Sequence, residues 1–75
     1  MFKYRLIELR KSNNLSQTEL GKILSMTQRS ISRFETGETF PDERTLNLIA
    51  DYFKVSVDYL LARTDIKNIY LYLKK

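Results

Sequence analysis

The chain has 75 residues, of which 43% are hydrophobic and 29% are charged, so it is large enough for one globular domain and too apolar for a disordered chain. It contains no cysteine and no histidine, which excludes disulfides and thiolate chemistry and removes the commonest metal ligand and proton shuttle. We therefore expect no metal and no other cofactor. The formal net charge of +4 suits a polyanionic partner, although net charge alone does not identify one.

The sequence offers no segment that would direct it to a membrane. No apolar run reaches the roughly 20 residues of a membrane span. The N-terminal MFKYRLIELRK is charged throughout, unlike the apolar core of a signal peptide. We expect a cytoplasmic protein that does not bind membranes.

Apolar spacing and one capping motif predict the first two helices. Phe2, Leu6 and Leu9 repeat at i, i+4 and i+7, which predicts a helix that ends near Asn13. Ser16 begins a second helix, because the run SQTE fits the reciprocal capping box. The expected buried stripe of this helix consists of Leu20, Ile23 and Leu24.

The third predicted helix has two chemically different sides. Thr27 can cap it, it runs to about Glu35, and Gly37 ends it. Ile31 and Phe34 form its apolar side. Residues three and four apart line up on a helix. The opposite face therefore combines Gln28, Arg29, Ser32 and Arg33.

Two further helices follow a loop that contains Pro41, which lacks a backbone donor. Asp42 can cap the fourth helix, and Ser56 can cap a fifth that reaches about Arg63. Their inward residues at helical spacing are Leu46, Ile49, Ala50 and Phe53, then Val57, Leu60 and Leu61. We expect the tyrosines of this region to be half-buried packing residues, Tyr52 and Tyr59.

The second and third helices, with the short turn between them, fit the helix-turn-helix arrangement. Gly21 provides a small residue where the two helices approach, and Met26 provides an apolar residue in the turn. The polar face of the third helix is then free to enter a DNA major groove, which is about 12 Å wide. Glutamine can bond bidentately to adenine and arginine to guanine, each worth roughly 1–3 kcal/mol of discrimination.

The chain resembles the helix-turn-helix regulators of the phage repressor/Cro type, also called the xenobiotic-response-element family. The likeness runs from about Phe2 to Arg63 and is carried by the combination LSQ-x-EL, SIS-R-F-E-x-G and VS-x-DYLL. It implies an all-α, compact five-helix lambda-repressor-like domain over residues 1–64. It also implies sequence-specific binding of double-stranded operator DNA by a transcriptional regulator, a repressor in the first instance.

The resemblance implies a role for individual residues. The positions that match base-contacting residues of the family are Gln28, Arg29, Ser32 and Arg33, the last three reading bases or neighbouring phosphates. The positions that match phosphate-contacting residues are Ser16, Gln17, Thr27, Thr36 and Thr39. Gln17 also matches a residue that braces Gln28. Arg10 and Glu35 match a structural ion pair that joins the first helix to the third.

Two positions depart from the family pattern. The family usually has glycine in the turn, where this chain has Ser25. If the position is left-handed, serine costs on the order of 1 kcal/mol there. The usual small alanine of the second helix is replaced by Gly21, which lowers helix propensity and avoids any clash.

Residues 65–75 form a C-terminal extension beyond the resemblance. The run Ile69-Tyr70-Leu71-Tyr72-Leu73 alternates as a strand does, while helical spacing fits it too, so a short helix or strand is left open. Two-fold dimers of helix-turn-helix domains read two half-sites of a palindromic operator. We expect residues 66–73 to pack against the fifth helix and help to form a homodimer. Alternatively, the extension folds back on its own domain and dimers form only on DNA.

Other functional classes fit the sequence less well. Asp42-Glu43 resembles a pair of acid/base carboxylates, but its place at a helix start favours capping. The serine hydroxyls have no histidine to activate them, and two glycines do not make a phosphate loop. We expect no enzyme. A pure interaction module with a protein partner, such as an antitoxin or adaptor, is the alternative.

Overall fold

The computed structural model describes residues 1–67, and within this range the chain forms five α-helices and no strand. The all-α, five-helix prediction is confirmed. The helices are α1 (Phe2–Ser12), α2 (Gln17–Ile23), α3 (Gln28–Thr36), α4 (Glu43–Phe53) and α5 (Val57–Leu60). None of the described helices is long and apolar enough to cross a membrane.

Side-chain caps begin four of the helices, as the sequence predicts. Ser16 and Glu19 form the reciprocal capping box of α2, in which the Ser16 N–H donates to Glu19 and lowers the pKa of its carboxyl. Asp42 accepts the Thr45 N–H at 2.8 Å, and this bond lowers the pKa of Asp42 below its ordinary value. The other two side-chain caps are Thr27 for α3 and Ser56 for α5.

Left-handed residues turn the chain between the helices. Gly37 ends α3 with a φ of 81°, which a glycine adopts without a Cβ penalty. Ser25, between α2 and α3, has a φ of 57°. The position is therefore left-handed, and the cost of on the order of 1 kcal/mol for a serine applies there. Other non-glycine residues with positive φ in the described range are Asn14, Lys54 and Ala62.

One buried cluster joins all five helices. Its fully buried large side chains are Leu6, Leu9, Leu20, Ile31, Ile49, Val55 and Leu60. Ile23 was expected in this core and is instead 40% exposed. On a helix Gly21 falls beside Leu20 and Leu24, whereas Ile23 falls on the far side of Leu20, so the glycine occupies the buried position.

The prediction of two half-buried tyrosines is wrong for both. Tyr52 is 43% exposed, and Tyr59 is only 4% exposed. Burial raises the pKa of the Tyr59 hydroxyl, which donates to Glu8 of α1 at 2.5 Å. The Arg5 guanidinium lies 4.0 Å from the centre of the Tyr59 ring and bonds to Asp65 at 2.7 Å. The segment after α5 is therefore held against α1 as far as Asp65.

The predicted helix or strand at Ile69–Leu73 lies outside the described residues. Ile66, the first apolar residue of the predicted dimer element, is half-buried. The Ile66 N–H donates to the Thr64 hydroxyl at 3.2 Å.

Candidate nucleic-acid interface

The close approach of α2 to α3 depends on Gly21. A Cβ atom there would lie 2.7 Å from the backbone oxygen of Met26, nearer than real Cβ contacts allow. The Met26 N–H donates to the Gly21 carbonyl, also at 2.7 Å. The left-handed Ser25 turns the chain immediately before this bond. The backbones of α2 and of the turn therefore touch, with no room for a side chain between them.

α3 is buried on one side and open on the other. Ile31 is fully buried and Phe34 is 6% exposed, so both anchor the helix in the core. Gln28 and Arg29 are exposed, while Ser32 and Arg33 are partly exposed. The structure thus places all four predicted base-contacting residues on the outer part of α3.

The amide of Gln28 is held by Gln17 of α2. The Gln28 Nε2 donates to the Gln17 Oε1 at 2.6 Å, and the Gln17 Nε2 donates to a carboxylate oxygen of Glu35 at 3.1 Å. A glutamine amide has two N–H donors and one carbonyl acceptor. Gln28 therefore retains one donor and its acceptor, the pair that bonds to the N7 and N6 edge of adenine.

Arg10 and Glu35 form a bidentate ion pair beneath this amide pair. Arg10 Nε and Nη2 donate to the two carboxylate oxygens of Glu35 at 2.6 and 2.9 Å. The Arg10 and Glu35 side chains are only 13% and 6% exposed. The pair raises the pKa of the Arg10 guanidinium, which also donates to the Leu15 carbonyl at 2.9 Å. A continuous chain of hydrogen bonds thus runs from α1 through Glu35 and Gln17 to Gln28.

The sequence did not reveal the bond between Gln17 and Glu35. These residues are 18 positions apart and lie on different helices, so no local spacing brings them together. The resemblance paired Gln17 with Gln28 and Arg10 with Glu35 separately. Only the packing of α2 on α3 shows that Gln17 links the two pairs.

Glu38 was not predicted to belong to this site. Its carboxylate lies 3.2 Å from Nε of Arg33, and the two side chains are 63% and 41% exposed. Helical neighbours are three or four apart, and Glu38 is five residues from Arg33. The two meet because Gly37 ends α3 and turns the chain back.

The predicted phosphate-contacting residues lie at helix ends. Ser16 and Thr27 cap the N-termini of α2 and α3, where backbone N–H groups favour anions. Gln17 is partly exposed in the first turn of α2. Thr36 and Thr39 are exposed beyond the polar face of α3, at its C-terminal end. The predicted phosphate residues therefore occur at both ends of that face.

These features define the class of the protein. Two short helices are joined by a left-handed turn that packs against a glycine of the first helix, and they present the outer face of the second helix within a five-helix domain. This is a helix-turn-helix domain of the phage repressor type. Residues 6–60 match the Helix-turn-helix family profile, and the chain belongs to this family.

The proteins that are similar to this chain include bacterial and phage regulators of transcription. The HTH-type transcriptional activator BcrR of Enterococcus faecalis is 31% identical in an alignment that spans 96% of this chain and 41% of that protein. The crystal structure of a transcriptional regulator from Listeria innocua is 30% identical in sequence, with a TM-score of 0.80. The match covers 99% of this chain and 69% of the Listeria chain.

A further solved neighbour is the P22 c2 repressor in complex with synthetic operator 9T. It is 30% identical with a TM-score of 0.75, over 80% of this chain and 91% of that one. The curated relatives are longer, since this chain spans only 41% of one and 59% of another.

Proposed function

We propose that this protein is a sequence-specific regulator of transcription that binds double-stranded DNA with α3 in the major groove. The polar outer face of α3 is the main support for this proposal. Ile31 and Phe34 anchor the opposite side of the helix in the core, so the polar face is left outside the core. The P22 c2 repressor, which has a similar fold, is described in complex with an operator. A protein that binds operator DNA must be in the same compartment as the genome, so we infer a cytoplasmic location.

The proposed contacts divide into two kinds. Base edges would be read by the side chains of α3, and these contacts would carry the direct sequence information. Phosphates would be held by the residues at the helix ends, which set the orientation of the domain on the duplex. Gln28 is the first base-reading residue, since Gln17 already fixes its amide.

Selection of bound sequences from random duplex DNA tests this function. Wild-type protein should enrich one consensus, and Gln28→Ala should lose preference at one base pair of it, at a cost of roughly 1–3 kcal/mol. Thr39→Ala is the matched control, because its exposed hydroxyl is proposed to touch phosphate only. It should weaken all sequences alike. A wild-type protein that enriches no sequence would refute the function.

Gln17→Ala gives a second outcome in the same selection. As a phosphate contact alone, Gln17 would weaken every sequence equally. The structure adds its bond to Gln28, so we expect the variant to lose overall affinity and also part of the preference read by Gln28.

We propose a homodimer on a palindromic operator, with residues 66–73 contributing to the dimer. Half-buried Ile66 and the bond from Arg5 to Asp65 support a defined path for the chain up to this point. A chain stopped after Lys67 keeps both features and removes the apolar run. It should stay folded by circular dichroism, become monomeric in sedimentation, and lose affinity for the palindromic site. A folded truncation that is still dimeric would refute this part.

Repression is the proposed outcome of binding. Operator-bound protein placed over a promoter would exclude the polymerase, whereas BcrR is named as an activator. A reporter gene with the selected consensus inside its promoter separates the two. Expression should fall when this protein is produced, and a rise would show activation instead.

A further inference from the structure

Glu38 is an acidic residue in a part of the chain that the proposed function places beside DNA. The run from Phe34 to Glu43, FETGETFPDE, contains four acids and no base. Three of these acids have a structural task. Glu35 lies in the buried ion pair, Asp42 caps α4, and Glu43 lies in the first turn of α4. Glu38 caps no helix, and its carboxylate forms an ion pair with Arg33.

The backbone around Glu38 is fixed to Arg33. The Arg33 carbonyl oxygen accepts from the Thr39 N–H at 3.3 Å and from the Thr36 hydroxyl at 3.2 Å. The Glu38 N–H in turn donates to the Thr36 hydroxyl oxygen at 3.4 Å. The loop therefore closes over the end of α3 and holds the carboxylate beside the Arg33 side chain.

The side of the guanidinium that Glu38 approaches decides what Arg33 can bind. The carboxylate lies 3.2 Å from Nε. The terminal Nη1 and Nη2 groups point to the opposite end of the guanidinium, and they match the O6 and N7 acceptors of guanine. An exposed ion pair contributes little to stability. Its main effect here is on the orientation of an arginine on the proposed reading face.

We infer that Arg33 reads a guanine in each half-site and that Glu38 is the residue that positions it. This inference rests on the proposed function and specifies its substrate further. The negative charge of Glu38 weakens attraction to every duplex, because it opposes the phosphate backbone. In exchange, it keeps Arg33 directed to a base edge and away from the neighbouring phosphates, to which a released arginine would bind.

The test compares Glu38→Gln with Glu43→Gln, since both variants remove one exposed negative charge from the same acidic run of the chain. Glu38→Gln should reduce the guanine preference at one position about two- to fivefold, which is the change expected from the loss of one exposed ion pair. It should also bind random duplex more tightly. The salt dependence of that binding should become steeper by about 0.9, because the released Arg33 then neutralises one phosphate.

Glu43→Gln should raise affinity for all sequences and leave the guanine preference unchanged. Arg33→Ala should abolish that preference, because it removes every donor that reaches the O6 and N7 acceptors of guanine. Glu38→Gln should then have no further effect on selectivity in the Arg33→Ala background. Thermal unfolding of each variant checks that the fold is intact, which the exposure of Arg33 and Glu38 favours.

Distinct results separate this inference from the proposed function. A wild-type consensus whose guanine preference survives Arg33→Ala would overturn the role of Arg33 and leave the function standing. Equal effects of Glu38→Gln and Glu43→Gln on guanine preference would overturn the role of Glu38. A wild-type protein that enriches no sequence would overturn both the function and this inference.

Discussion

Replacing Glu35 with glutamine removes a negative charge from a side chain that is only 6% exposed. Its two carboxylate oxygens accept two hydrogen bonds from Arg10 and one from Gln17. In the variant, the Arg10 guanidinium keeps its bond to the Leu15 carbonyl but loses its counter-charge. Removing one partner of a buried pair costs about 3–5 kcal/mol.

That cost is large for a domain of this size. A chain of 75 residues is stable by roughly 4–11 kcal/mol at about 0.05–0.15 kcal/mol per residue. A loss of about 3 kcal/mol lowers the Tm of a small domain by roughly 12–24 °C. We expect Glu35→Gln to fold at low temperature and to unfold at much lower urea concentration than the wild type, measured by circular dichroism.

A double-mutant cycle separates the pair from its surroundings. Arg10→Met with Glu35→Gln should cost at least about 1 kcal/mol less than the sum of the single changes, since neither charge is then left buried alone. Asp65→Asn is the matched control. Asp65 bonds to Arg5 at 2.7 Å, close to the 2.6 Å of the buried pair, but its side chain is 99% exposed. This variant should cost less than about 1 kcal/mol. Additivity within about 0.5 kcal/mol for Arg10 and Glu35 would refute the reasoning.

Three changes test other parts of the fold. Ser25→Gly should stabilise the domain by roughly 0.5–1 kcal/mol in urea unfolding, because glycine relieves the left-handed φ and loses only part of that gain to chain entropy. Gly21→Ala should destabilise it by about 1–3 kcal/mol in the same assay, because its Cβ meets a backbone oxygen that cannot move aside. Stability should fall below about pH 5, since the folded-state pKa values of Glu19 and Asp42 are lowered and their contribution is lost as the carboxyls protonate. Asp42→Asn keeps the cap and should flatten this decline, measured as Tm between about pH 3 and pH 7.

Most of the fold was predictable because its signals are local. Caps act within one turn of a helix, so Ser16, Thr27, Asp42 and Ser56 can be recognised from their immediate neighbours. Gly37 ended α3 as predicted for the same reason. The apolar spacing of α1 and α4 also reports directly which side of each helix is covered.

The errors came from contacts between helices. In α2, three aliphatic residues at helical spacing predict a stripe, yet a seven-residue helix buries only the narrow face that α3 covers. Gly21 adds no apolar side chain to the stripe, so the apolar spacing alone placed Ile23 in the core. Tyr59 is buried next to α1, where the Arg5 guanidinium covers its ring and Glu8, 51 residues away, accepts a hydrogen bond from its hydroxyl. No local pattern contains that information.

The candidate site likewise combines features that local sequence predicts with features that depend on contacts between helices. Helical periodicity predicts a common face for Gln28, Arg29, Ser32 and Arg33, and the structure presents these residues there. The contacts that orient them depend on tertiary structure. Gln17 reaches Gln28 across the turn, and Glu38 reaches Arg33 only after the chain reverses.

The hydrogen-bond chain from Arg10 to Gln28 limits how the DNA preference of this domain can be changed. Transferring α3 alone into a related scaffold would move Gln28 without Gln17, and its amide would lose the partner that fixes it. New operator preferences built at position 28 therefore require a matched choice at position 17. For the same reason, we expect these two positions to change together when related regulators acquire different operators.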